Sequence, residues 1–469
     1  MVARDCQCSA LVFVYKLRPP LADQAVWWDA AHGVFEPYAN VSSEAFPIAR
    51  TGMYALNQIL QHRLEHSCCR TTDPEKADLF FAPMATMVYN QAGYRRLCQT
   101  HTASEVARQL VHMRTPTKAC RHFFSVPHPT KFEACTGWYS HPKGNFKLAM
   151  RVSYLQDIAP SLARTLETEA AETEASRGAP FWLRLSRLLG IAPREDQRRS
   201  AARNRQVLQN VLSYTWRGTA LPNASELQLI SHIYPNLVSV PYPADLHWSH
   251  SLSLRNITPP WAVPRDMAAR TILFVGGDAH GDSPVRLLLR EQCQALPSCH
   301  VQAWLGAPSL LAKQRATFCL EPPGDSPDRK SISDSVTMGC VPVFFSAVTA
   351  ALAPWFWHPE QLSTGAGSDT ASVARGVPPT GFVLIDRASF LSGKVTLSSE
   401  LARMPDDRVA ALRKALMRVA RAFQYATDPD EGDAVDVMLR GLHQKADESC
   451  ARSHHAAESM RKHNLTVSP

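Results

Sequence analysis

The stretch from Phe318 to Ser346, FCLEPPGDSPDRKSISDSVTMGCVPVFFS, constrains the fold more than any other part of the chain. Phe318-Cys319-Leu320 is a short apolar run that suits a buried strand. Pro322-Pro323-Gly324-Asp325 stops it, and Gly324 opens the turn to positive φ or to close approach by a ligand. Asp325 or Ser326 then caps a helix whose first turn holds Pro327 and Asp328, residue types favoured there. The helix is expected to run to Met338, with Gly339 as its C-terminal cap. Val341 to Phe345 reads as the next buried strand. Strand, helix and strand in this order predict a β-α-β unit, and so a parallel sheet of the α/β class.

A helix N-terminus behind a glycine turn favours an anion, because its free N–H groups and its dipole point outward. Arg329 and Lys330 fall in the expected first turn, where cations are disfavoured unless they have an anionic partner. The alternative is a solvated basic face on an ordinary crossover helix. Upstream, Thr271 to Val275 is a strand ending in Gly276-Gly277, which fits the first βα turn of a nucleotide-binding sheet. Arg286 and Arg290 on the following helix either reach toward a diphosphate or face solvent.

These residues carry a resemblance. Cys319-Leu320-x-Pro322-x-Gly324-Asp325-Ser326, then Arg329, Asp334 and Gly339-Cys340-x-Pro342-Val343, resembles the signature of the exostosin family of glycosyltransferases, with Ser333 where the family usually has Phe. Further segments are similar: Leu11 to Tyr15 running into Arg18-Pro19-Pro20, Asp73-Pro74-Glu75 leading to Leu79-Phe80-Phe81, Pro241-Tyr242-Pro243, and Asp433 to Val437. The similarity covers about residues 9–445, is weakest at about 160–220, and is greatest to the plant and algal branch that includes xyloglucan galactosyltransferases.

The resemblance implies the GT-B architecture, two Rossmann-like parallel-sheet domains facing across a cleft. Residues 1–260 would form the N-terminal acceptor-side domain, with a helical, charged insertion at about 160–220. Residues 261–448 would form the C-terminal nucleotide-sugar-binding domain, and 449–469 read as a disordered tail. The implied reaction is inverting, metal-independent transfer of a sugar from a UDP-sugar to a polysaccharide or glycoprotein glycan. Donor-binding candidates are Gly276, Gly277, Glu321, Gly324, Asp325, Ser326, Arg329 and Lys330, with Asp334 supporting through an i,i+4 pair with Lys330. His122 is the candidate base for the acceptor hydroxyl, its alternative being a hydrogen-bonded core histidine. The Asp-x-Asp string Asp428-Pro429-Asp430 lies far from the donor motif, so neither a metal nor a cofactor beyond the UDP-sugar is expected. Trp355-Phe356-Trp357 either lines a sugar pocket or packs as a core loop.

Length and composition bound the rest. The 469 residues suggest two domains, and 45% hydrophobic with 20% charged residues is ordinary for a globular chain. A net charge of +8 suits an anionic substrate, while the absence of a long basic block or nucleic-acid motif argues against nucleic acid as partner. A homo- or hetero-oligomer is compatible with all of this. Twelve cysteines permit disulfides. Cys293 and Cys299 bracket a short loop, and the family's similar placement of cysteines after Glu291-Gln292 implies that they are bridged. Sequons at Asn40, Asn223, Asn256 and Asn464 agree with a secretory lumen.

No run reaches the ~18–20 apolar residues that a membrane span needs. The resemblance implies a Golgi enzyme with an N-terminal anchor, so the sequence reads as a truncated or excised luminal part. A second reading comes from another class: a non-catalytic glycan-binding or scaffolding partner of a Golgi synthase complex. Arg121 in place of the family's acid, Pro127-His128, and the lack of a cation beside Gly277 favour it, whereas the intact Gly324 to Val343 motif favours catalysis.

Overall fold

A computed structural model describes residues 8–17, 36–37, 48–52, 55–83, 108–125, 148–153, 237–265, 269–276, 284–302, 306–322, 328–345, 349, 353–362, 381–427 and 432–464. The insertion expected at about 160–220 lies outside them, as does Asp428-Pro429-Asp430. In chain order the strands are β1 (Val12–Val14), β2 (Glu36–Pro37), β3 (Ala49–Arg50), β4 (Arg70–Thr71), β5 (Leu79–Phe81), β6 (His122–Ser125), β7 (Met150–Ser153) and β8 (Leu237–Ser239). There follow β9 (Ile272–Val275), β10 (Cys299–Gln302), β11 (Phe318–Glu321), β12 (Val341–Phe344) and β13 (Val383–Leu384). Two parallel sheets result, ordered β4-β1-β5-β6-β7-β8 and β10-β9-β11-β12-β13, with β2 and β3 forming a small antiparallel ribbon. This is the α/β, two-sheet architecture expected from the sequence. In each large sheet the strand order reverses beside its first strand, between β1 and β5 and between β9 and β11. Open α/β sheets bind ligands outside the carboxyl ends of the strands at such a reversal.

The cores follow the apolar pattern. Helix α1 (Leu56–Glu65) buries Leu56, Ile59, Leu60 and Leu64 in a cluster with Val12, Val14, Phe81 and Phe123. Each such large side chain contributes about 1.5–3 kcal/mol relative to exposure. In the second sheet β11 is buried at all four positions, and so is β12. Pro342 is tolerated inside β12 because the Val341 N–H is the one that turns to β11, bonding Thr317 O at 3.0 Å. Pairing with β13 starts only at Val343, so no ladder donor is lost at the proline.

The β11–β12 crossover departs from the expected helix start. Helix α2 (Pro284–Ala295) follows β9, helix α3 (Ala307–Arg315) follows β10, and helix α4 spans only Lys330–Thr337. Its N-cap is Arg329, at φ −152° and ψ 144°. Asp328 therefore stands outside the helix, buried, with Oδ1 accepting the Arg329 N–H at 2.8 Å. Asp325 and Ser326, the expected caps, lie outside the described residues.

The C-terminal end of α4 is as expected, with Met338 as cap and Gly339 at φ +74°. A Cβ on Gly339 would stand 2.7 Å from Trp261 Cα. Arg265 closes the same end, its guanidinium donating to Ala316 O at 2.6 Å beyond α3 and to Met338 O beyond α4. Burial holds Arg265 down at about 9. Gly339→Ala is expected to destabilise the protein by at least about 2 kcal/mol, since left-handed strain and a backbone clash act together. Thermal unfolding measures it, and an unchanged midpoint would refute the cap.

The C-terminal region corrects a second expectation. Helix α5 (Asp406–Val419) is followed by α6, which runs from Ala434 to Asn464, through most of the stretch read as disordered tail. Its first turns have partners on the first sheet's side. The Arg121 guanidinium meets Asp447 at 2.9 Å, His443 Nδ1 bonds Ser9 O at 2.9 Å, and Cys120 is joined to Cys450. Cys293 and Cys299 are bridged. Cys8–Cys69 and Cys319–Cys340 are additional bridges that the sequence did not pair. Among the described residues no helix is long and apolar enough to cross a membrane.

Candidate active site

The carboxyl ends of β9 and β11 flank the reversal in the second sheet, and two arginines meet there. Arg329, the cap of α4, donates from Nη1 to Pro322 O at 3.3 Å. Arg286, on α2, brings Nη2 to the same oxygen at 3.5 Å and is buried. The carbonyl belongs to Pro322, the residue directly after β11. An oxyanion there would be a stronger acceptor for both guanidiniums than a neutral carbonyl. Burial pushes the Asp328 carboxyl up to about 8, against the Arg329 N–H bond that lowers it. Gly276 lies across the reversal at the end of β9, its N–H bonded to Gln302 O at 3.1 Å. Gly277 and Gly324, with Asp325 and Ser326, fall outside the described residues.

Two donor-binding candidates are committed elsewhere. Lys330 is 9% exposed and its ammonium lies 2.7 Å from Asp245 Oδ1 and 3.1 Å from Asp334 Oδ1. The two carboxylates raise its pKa despite burial. Lys330 is thus an internal counter-ion, and Asp334 serves it as the i,i+4 spacing anticipated. Asp334 Oδ1 also accepts the Asp245 N–H at 3.0 Å, and Asp245 Oδ1 accepts the Thr51 N–H at 2.9 Å. One buried ion cluster therefore pins α4 to the segment after β8 and to the end of β3. Glu321 is likewise 3% exposed, its Oε1 held by Lys313 Nζ at 3.0 Å, Ser331 Oγ at 2.9 Å and Ser335 Oγ at 2.6 Å. That oxygen anchors both halves of α4, through Ser331 and Ser335, and is not presented to a ribose or a sugar.

His122 corrects the candidate base. It opens β6 at the amino end, opposite the ligand end of a parallel sheet. It is fully buried and stacks on Phe80 at 4.7 Å. Nδ1 donates to Lys118 O at 2.7 Å and Nε2 accepts from the Tyr15 hydroxyl at 2.8 Å, so neither nitrogen is open to an acceptor. Burial pushes its pKa down to about 3, and the ring stays neutral. The core-histidine alternative is the one realised. Trp357 also packs in the core, with its ring 4.4 Å from Phe423 and 5.0 Å from Phe382.

Sequence reasoning missed Asp245, His247 and Lys313. His247 is fully buried with its pKa held at about 4, donating from Nδ1 to Tyr425 O and pairing Nε2 with Thr51 Oγ1, both at 2.6 Å. For the first two the signal was the continuation of Pro241-Tyr242-Pro243 into Ala244-Asp245-Leu246-His247, which spaces an acid and a histidine between apolar residues.

Residues 196–350, from before β8 through β12, match the exostosin GT47 domain. The GT47 match spans both the Asp245 segment and the α4 crossover that the ion cluster joins. Similar proteins include the probable xyloglucan galactosyltransferase GT15 of Arabidopsis thaliana, 30% identical over 46% of this chain and 45% of its own length. GT19 of the same plant, described in the same words, is 26% identical over 47% of this chain and 52% of its own. GT17, also a probable xyloglucan galactosyltransferase, is 22% identical over 84% and 72%. The chain thus spans about half the length of the first two. The crystal structure of the glycotransferase of kitacinnamycin aligns with 79% of this chain and 83% of its own at 12% identity, with a TM-score of 0.23. At that score the likeness carries no structural argument.

Proposed function

We propose that this protein is an inverting glycosyltransferase that moves a sugar from a UDP-sugar to a polysaccharide or glycoprotein glycan without a metal ion. The observation that carries the reading is the convergence of Arg286 and Arg329 on the Pro322 carbonyl, at the strand-order reversal of a GT47 domain. In the proposed reaction the acceptor hydroxyl forms a bond to the sugar's anomeric carbon as the bond to the diphosphate oxygen breaks on the opposite face. Negative charge grows on the leaving UDP, and fixed cations lower that barrier. The two guanidiniums and the N-terminus of α4 supply them. The hydroxyl proton goes to a base, a task that His122 does not meet. The names of the relatives make UDP-galactose the first donor to screen. The disulfides among the described residues support a Golgi lumen as the site of action.

Calorimetry with UDP, with and without EDTA, tests the reading. Binding that EDTA leaves unchanged is expected. Binding abolished by EDTA would remove the metal-free mechanism, and folded protein that takes up no UDP would remove the UDP-sugar donor. The second outcome favours a non-catalytic glycan-binding partner, a role that the commitment of Lys330 and Glu321 to internal partners would suit.

A further inference from the structure

We propose that Asn256 is a site of N-linked glycosylation. The proposal is independent of the transfer reaction and rests only on the luminal location argued above.

The sequon Asn256-Ile257-Thr258 follows the short helix His250–Leu254, and both Asn256 and Thr258 are exposed. The helix ends in a pair of nested hydrogen bonds. Ile257 N–H bonds Leu252 O at 3.2 Å, and Asn256 N–H bonds Ser253 O at 3.0 Å. This is the Schellman arrangement, with Asn256 in the left-handed position at φ 57°. Asn is one of the few side chains that accept this conformation at little cost. The turn thus holds the carboxamide on a projecting corner, where a bulky attachment displaces nothing.

The neighbouring surface supplies a second observation. Leu254, two residues away, is 68% exposed, more than any other large hydrophobic side chain among the described residues. An unmodified chain leaves it bare, and a glycan on Asn256 would begin two residues from it. Glycans are bulky and solubilising, and here the solubilising group sits beside the apolar side chain that needs it.

The donor is a polyprenyl-diphosphate-linked oligosaccharide. Asn256 Nδ2 forms a bond to the anomeric carbon of the first sugar. The bond from that carbon to the diphosphate oxygen breaks, and the lipid diphosphate leaves with the electron pair. The amide proton passes to a base of the transferring enzyme. Pro259 directly follows the acceptor threonine and restrains Thr258 to extended backbone, so occupancy is expected to be partial.

The test is secretory expression of the full chain in a eukaryotic host, followed by enzymatic deglycosylation in 18O-water and peptide mass spectrometry. A fraction of Asn256 should become 18O-labelled Asp. Asn256→Gln and Thr258→Ala should both remove the label, and Thr258→Ala keeps the left-handed Asn in place, so it reads out even if Asn256→Gln perturbs the turn. Unglycosylated protein should aggregate sooner than glycosylated protein, and Leu254→Ser should abolish that difference. Unlabelled Asn256 in secreted protein with Cys319–Cys340 formed would overturn the site. Unlabelled Asn256 in protein with reduced cysteines would overturn the luminal location and the site together, leaving UDP binding to be judged separately.

Discussion

Arg329→Ala is expected to weaken UDP binding about tenfold, and Arg286→Ala with it about a hundredfold. A hydrogen bond to a charged group contributes about 1.5–3 kcal/mol, and 1.4 kcal/mol is one decade of affinity. The two arginines come from different elements, α2 and the cap of α4, and share the Pro322 carbonyl as their meeting point. A diphosphate accepting both forks would bring them into register. Arg329→Lys keeps the charge but loses the planar fork, so an intermediate loss is expected. Lys330→Met provides the contrast. Its ammonium already faces Asp245 and Asp334, so the variant should lose stability while any protein that folds keeps most of its UDP affinity. Calorimetry on the four variants decides the matter. Equal affinity in Arg329→Ala and the parent would sink the site, and a larger loss in Lys330→Met than in Arg329→Ala would show that the cluster is part of it.

The second large effect is on stability. Asp433→Ala is expected to cost about 3–5 kcal/mol, because it leaves the buried Arg63 guanidinium without its carboxylate. Asp433 is 0% exposed and its carboxylate holds three partners. Oδ2 accepts Arg63 Nη1 at 2.5 Å and the Ala426 N–H at 3.0 Å, while Oδ1 accepts the Asp436 N–H at 3.0 Å in the first turn of α6. Arg63 also donates to Ala426 O at 2.6 Å. One carboxylate thus starts the last helix, closes the turn before it and docks α1. Removing both charges in Arg63→Met with Asp433→Leu should cost less than Asp433→Ala alone, since an apolar pair leaves no buried ion. Chemical denaturation measures both variants. If Asp433→Ala lost under about 1 kcal/mol, Arg63 would have to find solvent that the structure does not offer it.

What the sequence revealed depended on how local the cause was. β11 and β12 were legible because their apolar runs are continuous and flanked by Pro and Gly, and Gly339 because a helix ending in left-handed backbone demands it. The Cys293–Cys299 bridge was legible from a six-residue separation and a family pattern. The bridge between Cys120 and Cys450 spans 330 residues, and nothing local could announce it. The same reasoning separates the arginines from Lys330. Two adjacent cations looked alike in sequence, yet one side chain met Asp245 from a segment 85 residues earlier and became internal. The α4 boundary failed because Asp328 bonds the next residue's N–H instead of opening the helix, a choice between two caps that the composition PDRK does not settle. His122 failed for a topological reason. Its neighbours in sequence do not say which end of the strand it occupies, and the parallel sheet does.

The Cys120–Cys450 link has a consequence of its own. It makes a closed ring of everything from the start of β6 to the middle of α6, the second sheet included. A single backbone cut anywhere in that ring opens it without producing two molecules. Proteolysis in an oxidising environment would therefore not by itself release a free half carrying the second sheet. Shedding of that half would require a second cut or a reductant, so the chain's two sheets share one fate for as long as the bond is intact.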